Sequence, residues 1–149
     1  KAENLIKNYK KALIVRANFF GGSTKYRKSF SGYILSNIKK NKYVYLWSDV
    51  FFTPININFL IKTIHRLIEK NIYGIINISS SNSISKYNFG IKLCQHLKLD
   101  KKYILKKKQT IKTILRPKNM SLSNHKICKI FPDLKKKLLL DYQIKNIYN

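Results

Sequence analysis

A tyrosine followed one helical turn later by a lysine is a proton-transfer pair, because the ammonium lowers the phenol pKa and makes the phenolate accessible near neutrality. That spacing occurs in this chain only at Tyr103 and Lys107. Lysines crowd the stretch and it reads as extended rather than helical, so composition accounts for the match and the pair is not a catalytic couple. A phosphate cradle needs a glycine-rich strand-to-helix turn, G-x-G-x-x-G or G-x-x-G-x-x-G, whose backbone N–H groups hold the pyrophosphate. The five glycines, at 21, 22, 32, 74 and 90, have neither spacing. Cys94 and Cys128 form no C-x-x-C and no histidine cluster lies near them, so the expectation is two reduced, partly buried thiols and no metal. His65 falls beside Lys62 and Arg66 on the polar side of a helical pattern, and His96 has no sequence neighbour that would make it a catalyst.

Charge is the next feature with chemical meaning. Lys and Arg number 31 against 6 Asp and Glu, a formal net charge of +25. Such an excess is the electrostatic footprint of a polyanion partner, but it is not a recognition motif. Lys, Asn, Ile and Tyr are abundant throughout, the pattern an AT-rich genome imposes on surface positions. The densest triplets, Lys106–Lys108 and Lys135–Lys137, are not interleaved with aromatic residues along the chain. No specific nucleic-acid partner is therefore expected, and only a sequence preference or a stacked aromatic platform would change that reading. No apolar run reaches the roughly 20 residues of a membrane-spanning helix, and residues 1–11 lack the apolar centre of a secretory signal. The expected location is the cytoplasm, without membrane contact. With 44% hydrophobic and 13% aromatic residues, the chain is expected to pack a core as a single unit, without internal repeats or linkers.

The elements that would carry these residues alternate between strand and helix. Glu3, Leu5, Ile6 and Tyr9 fit a helix end, and Ala12–Val15, apolar on both faces, reads as a fully buried strand that expects neighbours on both sides. Ser23 or Thr24 is expected to cap a helix carrying Phe30, Tyr33, Ile34 and Ile38, closed by Asn41. Tyr43–Trp47 is a second strand, and Asp49–Pro54 an aromatic loop. Ile57, Leu60, Ile61, Ile64, Leu67 and Ile68 mark one face of a helix. Gly74 opens the strand Ile75–Ile78, and the polar run Ser79–Ser83 lies at its carboxyl end, where open α/β sheets bind ligands. Ser85 caps a helix with an inner face of Tyr87, Ile91, Cys94 and Leu97. An extended piece around Tyr103–Leu105, the loop at Arg116-Pro117 and two closing helices, from Ser123 and from Asp133, complete the pattern.

Four stretches occur in fixed order: Val15–Gly21, Ser48–Ile55, Ser85–Phe89 and Arg116–Leu122. Together they resemble the second half of a sugar-nucleotide reductase of the extended short-chain dehydrogenase type, closest to the dTDP-4-dehydrorhamnose reductase family. The resemblance implies an α/β fold: the C-terminal part of a Rossmann-like doubly wound sheet, interleaved over residues 1–149 with a small substrate-binding lobe. It implies that the dinucleotide-binding half and the catalytic Tyr and Lys lie upstream of Lys1, so that this piece alone is inactive. NADPH or NADH is then the cofactor, a nucleotide-activated 4-keto sugar the substrate, and the whole protein a candidate homodimer.

Residue by residue, Asn18 and Phe19 match positions facing the nicotinamide and the sugar. Arg16 is expected to be buried beneath them, in an ion pair or carbonyl contact that holds the strand end. Asn18 stands one residue closer to Arg16 than in the epimerase pattern Arg-x-x-Asn-x-x-Gly. Phe51, Phe52 and Thr53 fall in the loop that contacts the nucleotide or sugar, where two aromatics can stack on a base or plug a core. Asn58 and Phe59 stand where relatives often carry Asp. Arg116 matches a motif near the substrate nucleotide, and its guanidinium fork suits a diphosphate. The alternatives are a non-catalytic nucleotide-sugar-binding or regulatory protein of the same fold, and a basic nucleic-acid-binding module.

Overall fold

The structure is a computed structural model and describes residues 2–6, 8–23, 26, 28–110 and 117–147. In chain order the elements are α1 (Ala2–Ile6), β1 (Leu13–Arg16), β2 (Asn18–Phe20), α2 (Phe30–Ile38), β3 (Val44–Trp47), β4 (Phe51–Phe52), β5 (Pro54–Asn56), α3 (Ile57–Glu69), β6 (Gly74–Asn77), β7 (Ile84–Ser85), α4 (Lys86–His96), β8 (Ile104–Lys107), β9 (Asn119–Met120), α5 (His125–Ile130) and α6 (Leu140–Lys145). The expected mixed α/β class is the observed one. β1 with β6, β2 with β5 and β3 with β8 pair in parallel, which requires crossovers, and the intervening helices supply them. The fourth sheet has the order β7-β4-β9, antiparallel at β4–β7 and parallel at β4–β9.

Two hydrophobic clusters hold these pieces. One gathers Phe20, Ile34, Val44, Leu46, Phe52, Phe89, Leu93, Cys94 and Ile104 between α2, α4 and the β3–β8 ribbon. Within it Phe89 lies 5.1 Å from Phe20 and 5.3 Å from Phe52, ring edge to ring face, and is stacked at 5.9 Å on Phe30. Such pairs add about 0.5–1.5 kcal/mol each beyond the area they bury. α4 comes so close to β3 that a Cβ at Gly90 would stand 2.4 Å from Leu46 Cδ1. The other cluster joins Ile55, Leu60, Leu67, Ile76, Ile78, Ile127, Phe131 and Leu138. On its rim Arg66 forks onto Asp133 at 2.8 and 3.0 Å while its guanidinium lies 4.2 Å over Phe131, tying α3 to the segment after α5. No described helix is long and apolar enough to cross a membrane.

Several expectations are corrected. The stretch Asp49–Pro54 is not an aromatic loop, because Phe51 and Phe52 form β4 and Pro54 begins β5. The cap of α2 is Ser29, whose Oγ accepts the Gly32 N–H at 3.0 Å; Ser23 accepts the Ser29 N–H instead, and Thr24 lies outside the described residues. That helix ends at Ile38, and Asn41, at φ 55°, closes the turn that follows. α3 buries Leu60, Thr63 and Leu67 but leaves Ile61 and Ile68 exposed, so the core takes a narrower stripe than the apolar pattern offers. α4 buries Phe89 and Leu93 most deeply beside Cys94, while Tyr87, Ile91 and Leu97 of the expected inner face pack half-buried against the same cluster, and Ser85 caps the helix as expected. α5 starts after Asn124 rather than from a Ser123 cap, and Asp133 belongs to a short 3₁₀ turn that precedes α6. β1 is only partly buried, since among the described residues it has β6 on one side alone and Val15 retains some exposure.

Phe89→Ala is expected to lower the unfolding free energy by about 3–5 kcal/mol, the cost of emptying an aromatic core position. A urea transition read by far-UV circular dichroism checks this, with the midpoint falling at unchanged slope.

Candidate functional site

The four ordered stretches are joined by hydrogen bonds. β4 sits between β7 and β9, pairing Phe51 with Ser85 and Asn119, and Phe52 with Ile84 and Met120. The Phe51 N–H donates to the Lys118 carbonyl at 2.7 Å and the Lys86 N–H to the Val50 carbonyl at 3.0 Å. β2, in the first stretch, pairs with β5, in the second. Asn18 Nδ2 donates to the Met120 carbonyl at 2.8 Å, closing the first stretch onto the fourth. Segments far apart in sequence thus meet at the carboxyl end of β1, where Arg16, Asn18, Pro117, Asn119, Ser121 and Leu122 line an open cleft of about 570 Å³.

Each sequence-derived candidate has a defined place. Asn18 is half-buried beside Pro117–Leu122, its amide committed to Met120. Phe19 is 63% exposed, so its ring is free for contact. Phe51 is 42% exposed, whereas Phe52 is buried against Phe30 and Phe89 with Lys86 Nζ 3.5 Å over its ring. Of the two aromatics, only Phe51 therefore keeps a surface for a base, and the stacking role for Phe52 gives way to core packing. Thr53 is also buried, and its Oγ1 accepts the Leu122 N–H at 3.0 Å, so it positions the fourth stretch rather than facing solvent. Arg116 lies outside the described residues; Pro117, the next residue, lines the cleft.

Arg16 is not buried. Its side chain is exposed, and Nε donates to Glu3 Oε1 at 2.7 Å in a two-pronged pair that ties α1 to the end of β1. That hydrogen bond is the main cause holding the Glu3 carboxyl below its ordinary range and the guanidinium above its own. Tyr103 closes a 3₁₀ turn and Lys107 ends β8, so the two do not share a helix.

Some contributors carry no sequence signal of their own. Asp49 accepts the Gln109 N–H at 3.0 Å and lies 3.9 Å from Lys118 Nζ. Ser79 Oγ donates to the Leu122 carbonyl, Asn77 Nδ2 to the Ser123 carbonyl, and the Ser83 and Ser121 hydroxyls meet at 2.6 Å. Asp49 and Ser121 fall within two of the ordered stretches, and the serine-rich run after β6 pointed toward Ser79 and Ser83.

These groups suit binding and orientation. Among the described residues no cluster of His, Cys, Asp or Glu could hold a metal. Burial pushes the Cys94 thiol up to about 11, too high for a nucleophile at neutral pH. Nor do the glycines have the spacing of a pyrophosphate turn: a Cβ at Gly21 would stand 2.4 Å from Ile57 Cγ2, Gly32 and Gly90 lie within helices against Ser23 and Leu46, and Gly22 and Gly74, which face open space, are far apart in the chain.

Residues 1–138 match the RmlD substrate binding domain family. Comparison with curated proteins gives no match. Among solved structures, the chain is similar to a dTDP-4-dehydrorhamnose reductase from Bacillus anthracis in complex with NADP, with a TM-score of 0.76 and 21% identity over 98% of this chain and 51% of that one. A reductase of the same name from Clostridium acetobutylicum aligns with a TM-score of 0.75 and 19% identity, covering 91% of this chain and 47% of that one. A dTDP-glucose 4,6-dehydratase from Bacillus anthracis in complex with NAD aligns with a TM-score of 0.72 and 16% identity, covering 98% and 46%. At these identities the likeness is one of fold, the Rossmann-like α/β arrangement of reductases and epimerases. The chain spans about half the length of the structures it matches.

Thr53→Val is expected to cost about 1–3 kcal/mol by leaving the Leu122 N–H without its acceptor, and amide exchange at Leu122 should quicken. For the thiols, a disulfide reagent at pH 8 should modify Cys128 first and leave Cys94 silent until unfolding; Cys128→Ser removes the early phase.

Proposed function

This chain belongs to the RmlD substrate binding domain family, and from that membership we propose that it is the substrate-facing part of an NAD(P)-dependent reductase or epimerase. The substrate is a nucleotide-activated 4-keto sugar such as dTDP-4-dehydrorhamnose. One observation carries the reading: the four stretches that resemble this family, scattered from Val15 to Leu122, are hydrogen-bonded to one another, and the first and fourth line a cleft at the carboxyl end of β1, where an α/β sheet offers its ligand site.

In this reading the work of the chain is grip and alignment. The exposed Phe51 ring supplies a face for the nucleotide base. Lys118, beside Asp49, and Arg116 supply positive charge for the diphosphate, Arg116 by a bidentate fork. Asn18, fixed by its bond to Met120, and Phe19 border the sugar. Thr53 and the Ser83–Ser121 contact hold the cleft wall. The NADPH or NADH and the Tyr–Lys pair are assigned to sequence upstream of Lys1, since the glycines here lack the spacing of a pyrophosphate turn. The second reading is a non-catalytic nucleotide-sugar binder of the same fold, which shares this cleft and differs in lacking a working Tyr–Lys pair.

In the protein extended upstream, absorbance at 340 nm should fall only when NADPH and a dTDP-4-keto sugar are both present, and Phe51→Ala should raise KM about tenfold at unchanged kcat, a loss of ground-state binding. Residues 1–149 alone should give no turnover. Binding without turnover in the extended protein would support the non-catalytic reading, and absence of both would refute each.

A further inference from the structure

The β3–β8 ribbon turns one face into the core and keeps exposed tyrosines on the other. Val44, Leu46 and Ile104 turn inward and are buried in the cluster beneath α4. Strand alternation puts Tyr45 and Trp47 of β3 on the opposite face, beside Leu105 and Lys107 of β8, and Tyr43 and Tyr103 stand immediately before the two strands. Tyr43 and Tyr45 are 60% and 61% exposed, although the core is already filled without them. The Tyr43 and Tyr103 rings lie 5.6 Å apart at 57°, and Lys102 Nζ sits 5.1 Å from the Tyr103 ring. Lys42, Lys101, Lys107 and Lys108 are exposed at the ends of the two strands. The acids nearby are occupied, Asp100 by Lys102 at 2.9 Å and Asp49 by the Gln109 N–H.

We propose that this face is a stacking platform for single-stranded nucleic acid, bound without sequence preference. Residues i and i+2 of an extended chain lie about 6.6 Å apart, and with Tyr43 immediately before β3 the exposed rings of Tyr43 and Tyr45 are near neighbours. Every base has a π-face, which makes stacking on such rings tolerant of sequence, while flanking ammonium groups meet the phosphates. A duplex keeps its bases stacked on one another and withholds them from the rings. Tyrosine rings also suit protein interfaces, and it is the surrounding lysines, with the nearby acids already paired, that favour a polyanion here. The charge is complementary as well, at +25 for the chain.

The test uses the full 149-residue chain and fluorescein-labelled oligodeoxythymidylate, read by anisotropy at fixed salt, with a duplex of equal length and heparin as competitors. The single strand should bind more tightly than the duplex. Tyr43→Ala with Tyr45→Ala should weaken single-strand binding by about tenfold per ring while heparin binding stays at the wild-type level. Tyr43→Phe with Tyr45→Phe, which keeps the π-faces and the fold, should retain wild-type affinity. Equal affinity for single strand and duplex, an Ala variant that binds like wild type, or a Phe variant as weak as the Ala variant would each overturn the platform. So would absence of oligonucleotide binding, which would leave the face to a protein partner.

Discussion

Two residues, Phe51 and Phe52, hold the molecule's separate parts in one arrangement. As β4 they pair on one side with Ile84–Ser85 and on the other with Asn119–Met120, three short segments of which no two are adjacent in the chain. Strands this short cannot persist alone, since ordering each residue costs about 1–2 kcal/mol of backbone entropy. Their persistence depends on the Phe52 side chain, which drives into the ring cluster of Phe30 and Phe89 while its backbone keeps the pairing. The hydrophobic core and the geometry of the cleft are therefore one structure, and damage to either reaches the other.

The same coupling explains why buried polar side chains concentrate around this junction. Thr53 and Ser79 bond to opposite sides of the Leu122 backbone, and Asn56, the cap of α3, donates Nδ2 to the Asn146 carbonyl while Gln143 Oε1 accepts its N–H. Each is a buried group whose partner is specific, and leaving any one unpaired costs more than the bond itself returns. Surface charge contributes far less. Glu3, Asp49, Asp100, Asp133 and Asp141 each face a Lys or Arg, but these pairs are largely exposed and contribute about 0–1 kcal/mol apiece. Most of the cations are thus left without a counter-charge, which makes the outer faces available to anions and costs the compact state some self-repulsion.

A member of the RmlD substrate binding domain family that spans about half the length of its structural relatives invites a division of labour. In the proposed reading, grip and orientation come from sheet edges and strand ends, which this chain builds with its own hydrogen bonds. The pyrophosphate cradle needs glycine-rich backbone, and four of the five glycines here serve helix packing, a strand start and the Gly21 approach to Ile57 instead.

The sequence by itself determined the element types and the locations of several ends: the helix over Ile57–Glu69 by its periodicity, the Ser85 cap by its hydroxyl before an apolar run, the Asn41 turn just past α2 by its tolerance of positive φ, and Cys94 as an inert core thiol. These are local, set within one or two turns of chain. Tertiary structure alone decided which side of each element faces inward, so that Phe89 is buried more deeply than Tyr87 and Ile61 and Ile68 stay outside. It also turned an aromatic loop into a central strand, left Arg16 at the surface with Glu3, and brought Tyr43, Tyr45 and Tyr103 near one another where linear spacing showed no platform. The physical reason is that burial and pairing are set by partners 30 to 100 residues away, as in the Phe51–Ser85 pairing and the Asn18–Met120 bond, and no local window of sequence contains both members.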